Sequence, residues 1–342
     1  MQYETVDFGK GLTLPCIQLD LTGSTDAPAR RELKAQIYHL VDTEGGLLIR
    51  NTGIKDTKQY GEFLASIEFS HHSYVGGTSP RTEMGSGVYT ATELPPSVTL
   101  HSHQEMSYLD TIPDYVSFYC ELPPNNGQKT NLFIDMRKFT ANLPNELKSR
   151  YRGRRARLQR TLKSSEHGAF SQGEKSWQEA LGTGDHQEAA LIAQERGWEL
   201  TWKDDDSLVI LQEPARFFRT HLIHGELWCT QAMLINPVTY RRDAVRDGRL
   251  ADVEKLDQVR AKVPDTINQM FLENGNSIPD TDVECWYDLI LEMETHFALE
   301  QGEVIILDNM LVAHGRGAFE GPREMFAALG NRDSGESTMG AN

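Results

Sequence analysis

The segment GEVIILDNMLVAHGRGAF, residues 302–319, decides the fold class of this chain. Its apolar run is rich in Val, Ile and Leu, which is typical of a buried β-strand. His314 follows the run and precedes a glycine-containing turn, where a side chain can face the mouth of a pocket. The segment therefore predicts a β-rich fold with a polar functional group at the end of a strand.

Strand patterns recur along most of the chain after residue 98. They are SVTLHSH, DYVSFYCEL, TNLFIDM, WELTW and SLVILQE, followed by a hairpin around His224-Gly225. Apolar residues at helical spacing predict helices at about 29–43 and 57–69. The spacing becomes helical again between about 241 and 297, which predicts a helical insertion.

The order of these elements predicts a single domain that is mainly β with flanking helices. We expect this domain to span residues 1–330 as a jelly roll, with its core at about 98–330 and the helical insertion at about 241–297. The polar segment 331–342, rich in small residues, is expected to be a disordered tail.

Composition indicates an enzyme-sized globular protein that does not bind nucleic acid. The 342 residues are 39% hydrophobic, and 34 basic against 50 acidic residues give a net charge of -16, which repels polyanions. The sequence has no leader pattern and no apolar run of membrane-spanning length, so we expect no membrane association and a cytoplasmic location. The four widely spaced cysteines predict buried free thiols.

The segment HSHQEMSY, residues 101–108, contains a candidate metal site. If it is extended, His101, His103 and Glu105 project to one face, because alternate residues of a strand share a face. A His-x-Glu pair offers a nitrogen and an oxygen to one ion, and His314 is the expected third ligand from a distant strand. Two imidazoles and one carboxylate suit non-haem Fe(II) oxygen chemistry. They also suit Zn²⁺, so this pattern leaves the metal open.

An arginine near His314 is a candidate anion anchor. An oxoacid that chelates iron needs its far carboxylate held, and a guanidinium can hold it with two hydrogen bonds. Arg323 lies nine residues after His314 on the next predicted strand. Arg316 falls inside the predicted turn, where we expect it to face solvent or brace the loop.

Several segments together resemble the Fe(II)/2-oxoglutarate-dependent oxygenases of the taurine dioxygenase-like superfamily, which includes clavaminate synthase. In chain order they are GLLIRNTGI, GTSPRTEMGSGVYTATELPP, HSHQEMSY, ELPPNNGQKTNLFIDMRK, THLIHGELWCTQ and QGEVIILDNMLVAHGRGAFEGPRE. The resemblance covers roughly residues 46–330. It implies a double-stranded β-helix fold and an enzyme that uses Fe(II), 2-oxoglutarate and O2.

The resemblance also implies a role for particular residues. His103, Glu105 and His314 would bind the iron, and Arg323 and the Thr130 hydroxyl would hold the distal carboxylate of 2-oxoglutarate. His101 falls outside the motif and is expected to be structural or to line the pocket.

The sequence departs from the family pattern at two positions. Glu105 stands where many relatives have Asp, and Ala327 stands where some relatives have a second arginine. The longer side chain of Glu105 keeps the ligand type, whereas Ala327 leaves open how the metal-side carboxylate of 2-oxoglutarate is held.

The loop before the metal strand and the helical insertion are the expected sources of substrate contacts, with Ser79, Arg81 and Tyr89 as candidates. The resemblance implies hydroxylation of a C–H bond, or else desaturation or ring closure, in a small molecule. We expect an amino acid or natural-product intermediate, either free or bound to a carrier protein. The basic run KSRYRGRRARLQRTLK, residues 148–163, is expected to be a solvated face; the alternative is a docking site for an anionic substrate or acidic carrier protein.

Two other function classes compete with the oxygenase. A zinc-dependent hydrolase could use the same two histidines and glutamate, although Arg323 and Thr130 would then have no evident task. A non-catalytic jelly-roll binding module could use the pocket for a sugar or a small acid, and it would form no succinate.

Overall fold

The computed structural model describes residues 2–20, 27–72, 81–167, 176–262 and 267–332 of the chain. The candidate Ser79 and residues 333–342 of the predicted tail lie outside these ranges. The first half of the described chain contains strands β1 (Glu4–Gly9), β2 (Leu12–Gln18), β3 (Gly46–Arg50), β4 (Ser70–His71), β5 (Glu83–Gly85), β6 (Val88–Thr90), β7 (Leu100–His103), β8 (Tyr115–Leu122), β9 (Asn131–Asp135) and β10 (Arg155–Leu162).

The second half contains strands β11 (Glu199–Trp202), β12 (Leu208–Leu211), β13 (Ala215–Arg216), β14 (Phe218–His221), β15 (Gly225–Trp228), β16 (Gln269–Leu272), β17 (Thr295–Phe297), β18 (Val304–Asp308), β19 (Val312–Arg316) and β20 (Glu324–Asn331). The helices are α1 (Ala27–Glu44), α2 (Thr57–Ser66), α3 (Met136–Asn142), α4 (Asn145–Tyr151), α5 (Trp177–Leu181), α6 (His186–Glu195), α7 (Pro237–Arg246), α8 (Leu250–Lys262) and α9 (Asp280–Met293). None of these helices combines the length and apolar character needed to cross a membrane.

The larger sheet has the strand order β1-β2-β3-β18-β8-β20-β6-β5, with β4 paired to β20. Its central strand β18 is buried along its whole length and uses its two faces differently. Val304 and Ile306 pack against apolar residues of α1 and α2, whereas Ile305 and Leu307 pack toward the smaller sheet. This alternation follows from the two-residue repeat of a strand and explains why β18 reads as a continuous apolar run.

The smaller sheet has the order β17-β9-β19-β7. Phe133 of β9 and Val312 of β19 pack into the same apolar cluster as Leu48 and Ile305 of the larger sheet. Two mainly antiparallel sheets that share one core form a jelly roll, so the predicted fold class is confirmed.

A third sheet packs against the jelly roll, because Ala156 and Leu158 of β10 share an apolar cluster with Ile134 of β9. It is formed by β11, β12, β10 and β13, with β16 paired to β10, and it shares an apolar cluster with α5 and α6. Because β16 lies between α8 and α9, the segment predicted as a helical insertion is not wholly helical. Its first helix also begins at Pro237, earlier than the predicted position near 241.

The larger sheet includes β1, β2 and β3, which lie upstream of the core boundary predicted near residue 98. β3 pairs directly with the central strand β18, through partners such as Ile49 and Val304. The first fifty residues therefore supply part of the jelly roll, while the assignment of residues 1–330 to a single domain stays a prediction.

Candidate metal centre

Two histidines lie opposite each other on neighbouring strands of the smaller sheet. His103 is the last residue of β7, and the antiparallel register of β7 and β19 places it opposite His314. Their ring centroids are 4.8 Å apart. Sheet pairing thus brings together two side chains that are more than two hundred residues apart in the sequence.

Glu105 completes the cluster from the turn that follows β7. Its Oε2 lies 3.4 Å from Nε2 of His314 and 3.9 Å from Nε2 of His103. The potential ligand atoms of the three residues all lie within 4.8 Å of one another. Ligands at right angles around an ion, with bonds of about 2.1 Å, are about 3 Å apart, so small side-chain adjustments would suffice to bind one.

The charge states of the cluster fit a metal ion. Burial, together with neighbouring His314, lowers the pKa of His103 to about 4, which keeps its imidazole neutral. Its Nδ1 lies 2.9 Å from the carbonyl oxygen of His101, and an Nδ1–H donated there leaves Nε2 free to bind an ion. Burial alone would raise the pKa of Glu105, but the Arg81 guanidinium holds that pKa well below its usual range. A neutral imidazole and an ionised carboxylate are the forms that bind metals.

Both ring nitrogens of His314 are buried and have no hydrogen-bond partner among the described residues. Nε2 faces the carboxylate of Glu105 without the geometry of a hydrogen bond. Buried polar atoms are normally satisfied, so unsatisfied ones in a cluster of ligand atoms are consistent with a site that an ion completes.

A cavity of about 40 Å³ opens beside these side chains and is partly open to solvent. Its lining combines basic, polar and apolar side chains and, in the described part of the chain, no carboxylate. The lining residues are Arg81, Ala91, Thr92, Leu100, His103, Phe118, Asn131, Phe133, Leu299, His314, Gly315, Arg316 and Arg323. Three arginines therefore line the cavity, of which Arg81 is paired with Glu105, although the chain carries a net charge of -16.

Arg323 lies at this cavity with its guanidinium largely buried. Its NH2 donates to Asn131 Oδ1 at 3.1 Å, while its Nε has no partner among the described residues. Burial and the nearby Arg316 lower the pKa of Arg323 to about 10. A buried cation without a carboxylate partner favours an anionic ligand. The buried hydroxyl of Thr130, next to Asn131 in the chain, likewise has no partner among the residues described.

Arg316 differs from its predicted position. It belongs to β19 rather than to a turn and is only 4% exposed. It donates hydrogen bonds to the carbonyl oxygens of Leu94, Pro95 and Val98, so it braces the loop before β7 while it lines the cavity. The expectation that it braces a loop is met, and the expectation of a solvent-facing turn residue is wrong.

His101 does not share the metal face, contrary to the prediction for an extended HSHQE. The pairing of β7 with β19 shifts register between Leu100 and His103, a bulge that interrupts the alternation within β7, and the strand ends before Glu105. The ring of His101 lies between two carboxylates, with Nδ1 3.2 Å from Glu294 Oε2 and Nε2 3.1 Å from Asp243 Oδ1. Its contacts are those of a structural residue that ties β7 to the predicted insertion.

Two of the three substrate candidates are described. Arg81 lines the cavity and donates from NH2 to Glu105 Oε2 at 2.7 Å, with both side chains 4% exposed. Tyr89 is half-buried on β6 and is not among the lining residues. Ala327, at the position of the second family arginine, is fully buried in β20.

The basic run 148–163 is partly paired with carboxylates. Carboxylates lie within ion-pair distance of several of its arginines: Arg150 pairs with Asp282 at 2.5 Å, Arg152 with Glu226 at 2.5 Å and Arg157 with Glu199 at 2.7 Å. This pairing favours a solvated structural face over a docking site.

Asn131 is a pocket residue that the sequence reasoning missed. It occupies a buried position at the start of β9 and contacts Arg323. Its signal was available, since a buried polar residue in the otherwise apolar run TNLFID calls for a partner. The partner itself could not be identified without the pairing of the strands.

Comparisons with known proteins agree with this geometry. The family described as "Taurine catabolism dioxygenase TauD, TfdA family" matches residues 9–329. The dapdiamide synthesis protein DdaC of Enterobacter agglomerans is 27% identical over 293 residues, which cover 86% of this chain and 84% of DdaC. A clavaminate synthase-like protein of Arabidopsis thaliana is 22% identical over 338 residues, 96% of this chain and 94% of that protein.

Solved structures share the fold at low sequence identity. A putative alpha-ketoglutarate-dependent taurine dioxygenase from Burkholderia xenovorans aligns with a TM-score of 0.52 and 13% identity, over 97% of this chain and 93% of that one. AAD-2 in complex with Mn(II) and N-oxalylglycine aligns with a TM-score of 0.51 and 13% identity, over 97% and 99% of the two chains. Since the family match spans nearly the whole sequence, the chain belongs to the TauD/TfdA family of dioxygenases, enzymes that use Fe(II), 2-oxoglutarate and O2.

Proposed function

We propose that this dioxygenase hydroxylates an unactivated C–H bond of a small carboxylate, such as an amino acid or a natural-product intermediate, and forms succinate and CO2 from 2-oxoglutarate. The observation that carries the proposal is the His103, Glu105 and His314 cluster, whose two histidines line a cavity together with three arginines. The relative DdaC, named as a dapdiamide synthesis protein, supports a natural-product substrate by analogy.

His103, Glu105 and His314 are the proposed iron ligands. The neutral imidazole of His103, the ionised carboxylate of Glu105 and the unsatisfied nitrogens of His314 fit a divalent ion. Two imidazoles and one carboxylate occupy one face of an octahedron and leave the other positions to small molecules. When bound there with 2-oxoglutarate, iron(II) supplies the activation of O2 and the oxidation of the substrate.

Arg323 and Thr130 are the proposed anchors for the distal carboxylate of 2-oxoglutarate. The guanidinium offers N–H donors in a buried, low-dielectric place, where a charge-assisted hydrogen bond is strong. Asn131 holds the guanidinium from the side through its Oδ1. A zinc hydrolase would leave this anion site without a task, and the family match favours an oxygenase over a binding module.

The charges at the cavity support an anionic substrate. Arg81, Arg316 and Arg323 contribute three positive charges to a lining that includes no carboxylate among the described residues. Iron adds two further positive charges, whereas Glu105 and 2-oxoglutarate together supply three negative ones. A substrate carboxylate would offset part of the remaining positive charge, and Arg81 is its proposed contact.

We further propose that the substrate binds free rather than on a carrier protein, because the arginines Arg150, Arg152 and Arg157 of the basic run already face carboxylates. Hydroxylation is the proposed outcome. Desaturation and ring closure differ from it in where the cavity holds the substrate, and product analysis distinguishes them.

The test is a screen of L-amino acids and of the corresponding amides with enzyme, Fe(II), 2-oxoglutarate and O2. We expect at least one carboxylate to stimulate succinate formation with stoichiometric O2 use and to gain one oxygen atom by mass spectrometry, whereas its amide does not. Glu105→Ala should abolish the stimulation, and Arg241→Gln, a change in an exposed pair with Asp257, should retain it. Succinate formation in Glu105→Ala equal to that of the wild type would contradict the proposed site.

A further inference from the structure

The position of Glu105 is not set by a β-ladder. β7 ends at His103, and Glu105 lies in the turn that follows. The next residue, Met106, has a φ of 55° although it carries a side chain, and it is 1% exposed. Such a backbone persists where its surroundings hold it. Another group must therefore fix the turn that presents the carboxylate.

The side-chain amide of Asn309 forms hydrogen bonds with both the N–H and the carbonyl oxygen of Glu105. Its Oδ1 accepts from the Glu105 N–H at 2.6 Å, and its Nδ2 donates to the Glu105 carbonyl oxygen at 3.0 Å. The same Nδ2 donates to the carbonyl oxygen of Pro113 at 2.8 Å. The side chain is fully buried, so no water can replace these bonds without rearrangement. One amide thereby fixes both polar groups of the Glu105 main chain.

The place of Asn309 in the fold links Glu105 to the opposite ligand. Asn309 directly follows β18 and lies in the short turn that leads into β19, the strand of His314. Its own N–H donates to the carbonyl oxygen of Asp114 at 2.8 Å. A shift of this turn would therefore move the carboxylate relative to His314.

A second buried amide supports the neighbouring residue. Gln104 donates from Nε2 to the carbonyl oxygens of Trp228 at 2.9 Å and of Met310, which follows Asn309, at 3.2 Å. The main-chain carbonyl oxygen of Gln104 accepts a hydrogen bond from Gln231 Nε2 at 2.9 Å. The turn after β7 is thus anchored to the turn after β18 at two successive residues.

We propose that Asn309 is a positioning residue of the metal centre, which acts through the backbone of Glu105 and sets the distance between its carboxylate and His314. The inference rests on the proposed iron site and adds a residue that does not itself touch the ion. In the sequence, Asp308-Asn309 after an apolar strand reads as an ordinary turn pair, so the role becomes visible only from the contacts.

The test compares Asn309→Ala with Asn236→Ala. Asn236 is also a buried amide, and its Oδ1 accepts from the Val238 N–H at the start of α7, away from the cluster. Mn(II) affinity is measured by electron paramagnetic resonance of the free ion, with thermal unfolding recorded on the same samples. We expect Asn309→Ala to weaken Mn(II) binding by about 10- to 100-fold, the effect typical of lost support around a ligand, and Asn236→Ala to change it less than about twofold.

A double-mutant cycle shows whether Asn309 acts through Glu105. In a Glu105→Ala background, we expect Asn309→Ala to have no further effect on the remaining Mn(II) affinity. Asn309→Ser, which cannot reach both groups of Glu105, serves as a milder variant if the alanine variant does not fold, with the same direction expected.

The outcomes separate this inference from the proposed function. A wild type without Mn(II) binding would contradict the metal site itself. If the wild type binds Mn(II) and the Asn309→Ala or Asn309→Ser variant binds it with an affinity within twofold of the wild type, the role of Asn309 is overturned and the metal site is not. The role is also overturned if Asn309→Ala lowers the Mn(II) affinity as much in the Glu105→Ala background as in the wild type. It is overturned as well if Asn236→Ala lowers the affinity as much as Asn309→Ala does.

Discussion

At the scale of single residues, the sequence pointed to three side chains that the fold brings together, but not to the surroundings of each. The His-x-Glu spacing and the late His314 and Arg323 were readable because few side chains can bind a metal or an oxoacid. The face of His101 was predicted wrongly because alternation holds only in a regular strand, and the register of β7 with β19 shifts between Leu100 and His103. Asn131 and Asn309 escaped notice because an amide acquires a role only from its partners, which lie far away in the sequence.

His101 predicts a dependence of stability on pH. Burial alone would lower its pKa, but hydrogen bonds with Asp243 and Glu294 raise it from 6.5 to about 9. A raised folded-state pKa stabilises the fold fully below about pH 6.5, and this contribution is lost as the pH rises through about 9. The gap between the folded and unfolded values corresponds to about 3 kcal/mol.

The measurement is the free energy of unfolding between pH 6 and 9.5 for the wild type and His101→Gln. We expect the wild type to lose about 3 kcal/mol more than the variant over this range. Parallel curves for the two proteins would show that His101 is not protonated in the folded state.

At the scale of elements, strand identity was predictable and strand pairing was not. The apolar runs of β3, β8 and β18 stand out in the sequence, yet nothing in them states that β18 lies between the other two. The same limit applies to β16, whose short run lies among helices and becomes a strand by pairing with β10. Pairing depends on contacts between distant segments, and one sequence does not display those.

The pairing of β19 with β7 predicts that any side chain at Gly315 lowers stability and weakens metal binding. A Cβ at Gly315 would lie 2.5 Å from the carbonyl oxygen of Leu100 and 2.8 Å from the backbone N of Ser102, so β19 would have to move away from β7. Since His314 is the preceding residue, the two histidines would move apart. We expect Gly315→Ala to lower the free energy of unfolding by about 1–3 kcal/mol or more and to weaken Mn(II) binding at least tenfold.

Gly317→Ala is the matched control. Its Cβ would make ordinary contacts, at 3.7 Å from Leu132 Cδ2 and 3.8 Å from the carbonyl oxygen of Thr130. Thermal unfolding and Mn(II) titration of both variants check the prediction. Equal metal affinity for the Gly315 and Gly317 variants would refute the role given to this close approach.

At the scale of the whole molecule, both ends of the described chain belong to one sheet. β1 begins at Glu4 and β20 ends at Asn331, and both lie in the larger sheet. The predicted core boundary near residue 98 was too late because β1, β2 and β3, which precede it, pair into the larger sheet. Strand β18 needs β3 as a hydrogen-bonding neighbour.

A chain truncated to begin at residue 98 therefore should not fold. It would lose β1–β6, α1 and α2, and would leave one edge of β18 and one edge of β20 unpaired, with apolar residues of the larger sheet exposed to water. Circular dichroism with chemical denaturation, compared with the full chain, tests this expectation. A cooperative unfolding transition in the truncated chain would show that the first ninety-seven residues are dispensable for the fold.

The central claim is that His103, Glu105 and His314 hold iron beside a 2-oxoglutarate anchored by Arg323. An anaerobic titration of the metal-free protein with Fe(II) and 2-oxoglutarate, followed by visible absorption, tests it most directly, because the chelate of the two gives a weak charge-transfer band. We predict a band in the wild type that saturates at one equivalent of iron, and an affinity for 2-oxoglutarate that falls about 10- to 100-fold in Arg323→Ala, as expected for lost hydrogen bonds to a charged group. Tight Fe(II) binding with no band, or a band unchanged in the variant, would contradict the account.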